Sequence, residues 1–131
     1  MARLEQHILI RTDLGMSNGL YAAQIAHIHA EAFRQQHIDP THRGQIDEDW
    51  VKSPTIFVRG VPNPEILRMF MHKAEGHETR PLVHQWEDTI YSTISEGHVI
   101  PLEGVIVGGS IGPLDSDVAK AIGLLELPLY N

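Results

Sequence analysis

The apolar residues of this chain fall into short β-branched runs separated by stretches of helical spacing. Residues 6–12, Gln-His-Ile-Leu-Ile-Arg-Thr, form the first run and lead into Asp13, Leu14 and Gly15, where a turn is expected. From Ser17, a capping residue, to Gln36 the spacing predicts a long helix. Leu20, Ala23, His27 and Ala30 lie on one stripe of it, with Tyr21, Ile25 and Ile28 beside them. Alanines at 22, 23, 26 and 30 would let this helix lie close against a sheet. Residues 37–45, with Asp39, Pro40 and Gly44, read as a loop before a short helical turn at 47–52 anchored by Trp50. Residues 54–59 predict a strand that starts at proline, where the missing N–H is tolerated. Asn63, Pro64 and Glu65 then supply a cap, a first-turn proline and an acid near the positive end of a helix expected to stop at Gly76.

Further along, residues 81–86 read as a strand, residues 92–98 fit no single element, and residues 99–107 read as a strand again. The glycine-rich stretch 108–113 predicts a turn, after which Asp115 or Ser116 caps a last helix running to about Leu125. The order β-α-(α)-β-α-β-β-α predicts an α/β fold, a three-layer α/β/α sandwich around a mixed, mostly parallel sheet of about four strands. With 131 residues and 42% apolar content, one domain over 1–131 is expected, long enough to bury roughly two-thirds of its unfolded surface.

Composition narrows the chemistry. The absence of cysteine excludes a disulfide frame, a thiolate nucleophile and Cys-ligated zinc or iron–sulfur sites. The longest nearly apolar stretch, 105–114, is interrupted by glycines and a proline and falls short of the ~18 residues a spanning helix needs, so no membrane partner is expected. Residues 1–10 hold too short an apolar run for a signal segment, and a cytoplasmic location is expected. The formal charge is −7 with the nine histidines neutral. Even with roughly a quarter of each imidazole protonated near pH 7, the domain stays acidic. That balance argues against broad polynucleotide binding and against DNA as a partner, leaving Arg11, Arg59 and Arg80 as candidates for a local basic patch.

Gly108-Gly109-Ser110-Ile111-Gly112 matches the G-x-S-x-G pattern of a serine nucleophile elbow. The elbow is rejected, since its triad order places a histidine after the serine and the last histidine here is His98. His72 and His77 are five apart and His27 and His29 two apart, spacings that do not share a helix face, so no metal site is read from them. The stretch Gly15, Met16, Ser17, Asn18 and Gly19 is a glycine-flanked loop between a strand and a helix, where backbone N–H groups and a helix N-terminus can hold an anion. Loops beyond the carboxyl ends of strands are where sites gather in open α/β sheets.

From Arg11 to His27 the chain reads RTDLGMSNGLYAAQIAH, which resembles the RTDLGMxKGKxAAQxxH opening of class II peptidyl-tRNA hydrolases. Residues 87–94, EDTIYSTI, stand where that family carries (R)DAGRTQI, and Ile111-Gly112-Pro113 with the last helix resembles its closing segment. The resemblance covers essentially the whole chain. It implies hydrolysis of the ester joining a peptide to the terminal ribose of tRNA, with peptidyl-tRNA as partner, a homodimer, and neither metal nor organic cofactor. It also implies that Asp88 activates water and that residue 18 offsets charge on the developing oxyanion. In this chain residue 18 is Asn18, Leu20 stands at the next family lysine, and Tyr91 at the family arginine. An asparagine amide can donate a hydrogen bond but carries no charge.

The resulting candidates are Asp88, Asn18 and His27 for catalysis, and Gly15, Met16, Ser17, Gly19, Gln24, Ser92 and Thr93 for substrate binding. Asp88 is equally read as a turn aspartate, Asn18 as a helix cap, His27 as a satisfied core histidine, and Asp13 as a residue that ties the turn. The competing functions are a catalytically silent relative that binds a small anion, nucleotide or peptide, and a hydrolase of a smaller ester or amide.

Overall fold

The computed structural model describes residues 4–38, 52, 54–88, 92–95, 98–101 and 105–130. In chain order the elements are β1 (Leu4–Arg11), α1 (Asn18–Ile38), β2 (Ile56–Val61), α2 (Pro64–Glu75), β3 (Val83–Asp88), β4 (Ser92–Ser95), β5 (His98–Pro101), β6 (Val105–Asp115), α3 (Ser116–Ile122) and a 3-10 turn, Leu124–Glu126. Four strands form one sheet in the order β2-β1-β6-β3, and β4 pairs with β5 in a separate hairpin. β1 runs parallel to β2, while β6 is antiparallel to both β1 and β3. Three strands therefore point one way and β6 the other, which makes the sheet mixed.

β1 is buried along nearly its whole length because both of its faces are covered. Ile8 and Ile10 pack with Met16, Tyr21, Ile28 and Val107 on the α1 side. Leu9 packs with Leu67, Phe70, Met71, Ala119 and Ile122 on the side of α2 and α3. These two cores give the α/β/α layering. Each fully buried side chain of this kind, Ile28 for example, contributes about 1.5–3 kcal/mol.

Local signals place the helix ends. Ser17 Oγ accepts from the Leu20 amide at 3.2 Å, and Asn63 Oδ1 accepts from the Ile66 amide at 2.8 Å. Gly76 closes α2 as expected. Gly123, at φ 94°, closes α3, so the last helix stops short of the expected Leu125 and a 3-10 turn covers that residue. The sheet-facing stripe of α1 is Tyr21, Gln24, Ile28 and Ala32, whereas Ala22, Ala26 and Ala30 face solvent. Alanine suits either face, which is why those positions misled the sequence reading.

A larger correction concerns residues 99–113. The expected strand at 99–107 is divided between β5 and β6, and the expected turn at 108–113 lies inside β6, in the middle of the sheet. Its glycines serve close approach rather than chain reversal. Residues 92–98, which fit no single element, contain β4 and the start of β5. The loop at 39–45 and the helical turn with Trp50 lie outside the described residues, apart from Lys52, which is helical.

The chain's end returns to β2. The Gly60 amide donates to Pro128 O, the Tyr130 amide donates to Val58 O, and Leu129 bridges Arg59, so residues 128–130 cover the outer edge of the sheet. Beneath them lies a buried charge relay. Arg59 Nη1 donates to Leu127 O at 2.8 Å and its Nε donates to His7 Nδ1 at 3.0 Å. That bond fixes the tautomer, so His7 Nε2–H donates to Glu5 Oε1 at 2.8 Å. Burial pushes the His7 pKa below its ordinary 6.5, with Glu5 opposing the shift and Arg59 adding to it. Burial also lowers the pKa of His84.

The unfolded chain thus takes up protons near pH 6.5 that the folded chain refuses. Stability is full above that pH and is lost as pH falls below it. Chemical denaturation is expected to show lower stability at pH 5.5 than at pH 7, with His7 and His84 contributing in the same direction. An unchanged midpoint would show that both imidazoles accept protons in the folded state.

Candidate functional site

The glycine loop and the end of β3 leave the sheet at the same edge. Gly108 pairs with Ile10 on one side and with Trp86 on the other. That row spans about 10 Å from β1 to β3, two strand spacings. From Ile10 the chain runs through Arg11 into the loop that starts α1, and from Trp86 it runs through Glu87 to Asp88. Asp88 is the last residue of β3, its backbone paired with Val105, just past an irregularity in register between Trp86 and Glu87. Such bulges often re-aim a strand next to a site. Ser92 and Thr93 pair with Pro101 and Ile100 in the separate β4–β5 hairpin. Tyr91 lies outside the described residues.

In the loop, Gly15 takes φ 67°, a conformation that favours glycine. Ser17, Asn18 and Gly19 are exposed, while Met16 is buried in the α1-side core. Asn18 is the first residue of α1, directly after the capping Ser17. Asp13 ties the turn: both its oxygens accept from Arg11, at 3.0 and 2.8 Å, and these bonds hold its carboxyl below the usual carboxylate range. Arg11 also donates to Ile106 O at 3.1 Å, which pins the end of β1 to β6. Arg59 is buried inside β2 against His7 and Leu127, and Arg80 precedes β3 at the other end of the sheet, so the three arginines do not converge.

Gln24 is fully buried and its Oε1 accepts from Trp86 Nε1 at 2.9 Å. His27, one turn later, is half-buried and stacks on the Trp86 ring with centroids 5.5 Å apart. These contacts fasten α1 to β3 two residues before Asp88. The sequence reading missed Trp86, although a bulky aromatic so near the candidate aspartate was a visible signal. It also missed Tyr21, which is buried one turn into α1 and whose ring meets that of Tyr130 at 5.4 Å. Ser110, the centre of the G-x-S-x-G match, is buried mid-strand and accepts from Gln6 Nε2 at 2.7 Å. Gln6 Oε1 in turn accepts from His29 Nδ1 at 2.8 Å. No elbow exposes that serine.

The site is that of an α/β sandwich with a glycine loop at the carboxyl end of its first strand and an aspartate ending β3, two strands away at the same end of the sheet. The family model described as Peptidyl-tRNA hydrolase PTH2 matches residues 4–127, and the chain belongs to that family. No curated protein matches the chain. Among the described residues, no helix is long and apolar enough to cross a membrane.

Proposed function

We propose that this chain is a divergent peptidyl-tRNA hydrolase that cleaves the ester between a peptide and the terminal ribose of tRNA. The observation that carries this reading is the shared sheet edge from which the glycine loop and Asp88 emerge. Asp88 takes a proton from water as the water oxygen bonds to the ester carbonyl carbon. The carbonyl electron pair moves onto oxygen, where Asn18 and the loop N–H groups donate hydrogen bonds. Collapse of this intermediate breaks the bond to the ribose oxygen, which recovers the proton. His27 and Gln24 orient the neighbouring groups through Trp86, and Gly15, Met16, Ser17, Gly19, Ser92 and Thr93 complete the substrate contacts. On the family resemblance the protein works in the cytoplasm as a homodimer and needs no cofactor.

A second reading has its own support. Residues 13–20 hold no lysine or arginine, and Arg11 is engaged by Asp13 and Ile106. A silent relative that binds a small anion, nucleotide or peptide, or a hydrolase of a smaller ester or amide, needs no cation there. Hydrolysis of an N-blocked aminoacyl-tRNA by wild type, Asp88→Ala and Asn18→Lys separates these readings. Cleavage by wild type that drops at least about a hundredfold in Asp88→Ala is the expected result. Silence in wild type with activity in Asn18→Lys indicates a scaffold that lost its chemistry. Silence in all three overturns the hydrolase reading.

A further inference from the structure

The end of the sheet away from the glycine loop holds a cavity of about 220 Å³. It lies where β6 runs out between its two neighbours, with Leu4 of β1 paired to Asp115 on one side and the turn that leads into β3 on the other. Pro81, Pro113 and Leu114 are its buried lining, and Leu4 and Val118 of α3 add half-buried aliphatic wall. β1 spans about 23 Å from this cavity to the candidate loop, and the two share no residue.

The walls are fixed by hydrogen bonds of the backbone. The Gly112 amide donates to Leu82 O at 2.8 Å, and the turn before β3 is closed by the Arg80 amide on His77 O at 2.9 Å. Arg80 takes φ 48°, and although it stands between Thr79 and Pro81 it is not a lining residue. Among the described residues two polar side chains line the cavity, Thr79 and Asp115, both exposed and so at its rim. Asp115 precedes α3 without capping it, so its carboxylate is not spent on the helix. The Thr79 amide donates to His77 Nδ1 at 3.2 Å, which makes that nitrogen an acceptor. The Thr79 hydroxyl, 2.9 Å from the same nitrogen, is then its second donor, and the hydroxyl oxygen keeps only lone pairs to offer. Both polar groups are therefore acceptors, one of them a carboxylate, set over an aliphatic floor. Such a site fits a ligand with the reverse pattern, an apolar chain ending in a positively charged N–H donor.

We propose that this cavity is a binding site for an aliphatic ammonium ion, its chain against Leu4, Pro81, Leu114 and Val118 and its N–H groups donating to Asp115 and Thr79. At roughly 30 Å³ for each water-sized group, the volume accommodates about seven heavy atoms, those of a six-carbon amine. A free amine and a lysine side chain offered by another polypeptide share this chemistry. The site does not rest on the hydrolase reading and stands whether or not the ester is cleaved.

The test titrates the full chain with hexylammonium and follows the methyl NMR signals of Leu4, Leu114 and Val118. Shifts that saturate with a Kd on the order of 1 mM are expected. Hexanol, which lacks the charge, and hexanoate, which reverses it, are expected to bind at least about fivefold more weakly. Asp115→Asn keeps the shape of the rim and is expected to weaken hexylammonium about fivefold with Tm little changed. Added salt should weaken binding by wild type in the same direction. Nα-acetyl-lysine methylamide separates the two sources: affinity equal to that of hexylammonium assigns the site to a lysine side chain, and binding by hexylammonium alone assigns it to a free amine. No methyl shift with either ammonium compound, equal binding of hexanol or hexanoate, or equal affinity in a folded Asp115→Asn would overturn the proposal. The comparison of the three six-carbon ligands uses wild type alone, so it decides the matter even if Asp115→Asn does not fold.

Discussion

Gly108→Ala is expected to destabilise the protein by about 3 kcal/mol or more, at the upper end of what overpacking costs. Gly108 lies in the central strand β6, paired on both sides, with Leu9 O so close that an added Cβ would overlap it. The same methyl would press on Ile28 Cδ1 at 3.0 Å and Ile10 Cα at 3.3 Å. Neither of the backbone atoms can yield without moving β1, and Ile28 belongs to the buried stripe of α1. Relief therefore requires β1 to draw away from β6, and the glycine loop leaves β1 at this end, so activity should fall with stability. Gly19→Ala is the control, since nothing lies within 4 Å of its Cβ position and alanine suits a helix better. Its stability should stay within about 0.5 kcal/mol of wild type. Urea denaturation of both variants checks the contrast. A loss below 1 kcal/mol in Gly108→Ala would mean that the strand and helix are less closely packed than described.

That glycine also shows where the sequence stops being legible. Gly108, Gly109, Gly112 and Pro113 are so dense a cluster of turn residues that a reversal is the natural expectation. The reason for them is nonlocal: Leu9 O above Gly108, Met71 and His84 O against Gly109, and Glu5 O at 2.8 Å from a Cβ on Gly112, which takes φ 112°. Residues that meet at separations of 25 to 107 positions leave no periodic signal. Elements with local causes, such as the Ser17 and Asn63 caps and the β1 run, were readable where they stand. The candidate loop was readable for the same reason, its chemistry being written in consecutive residues. Gln6, His7 and Gln24 look like surface residues and are buried, because their partners Ser110, Arg59 and Trp86 come from other strands.

Arg59→Ala carries the other large expected effect, a loss of about 3–5 kcal/mol. The guanidinium is 6% exposed and holds two acceptors from different elements, His7 Nδ1 and Leu127 O. Removing it leaves Glu5, 3% exposed, as a buried carboxylate facing a neutral imidazole, and strips the Leu127 carbonyl of its side-chain donor. The segment that runs from Leu127 to Tyr130 along β2 loses its anchor at one end. Because Tyr130 abuts Tyr21, the loosening should reach the candidate site. A domain of this size shifts in Tm by roughly 3–6 °C per kcal/mol, so a drop of 10 °C or more is expected. Replacing the whole relay by apolar residues, Glu5→Leu with His7→Leu and Arg59→Met, should cost less than the single change. It removes both charges together, and the Leu127 carbonyl is left to find a new donor. The triple variant should also lose the His7 share of the decline in stability between pH 7 and 5.5, since it has no imidazole there to refuse a proton. If it unfolds more easily than Arg59→Ala, the relay is a net source of stability rather than a charge arrangement whose parts depend on one another.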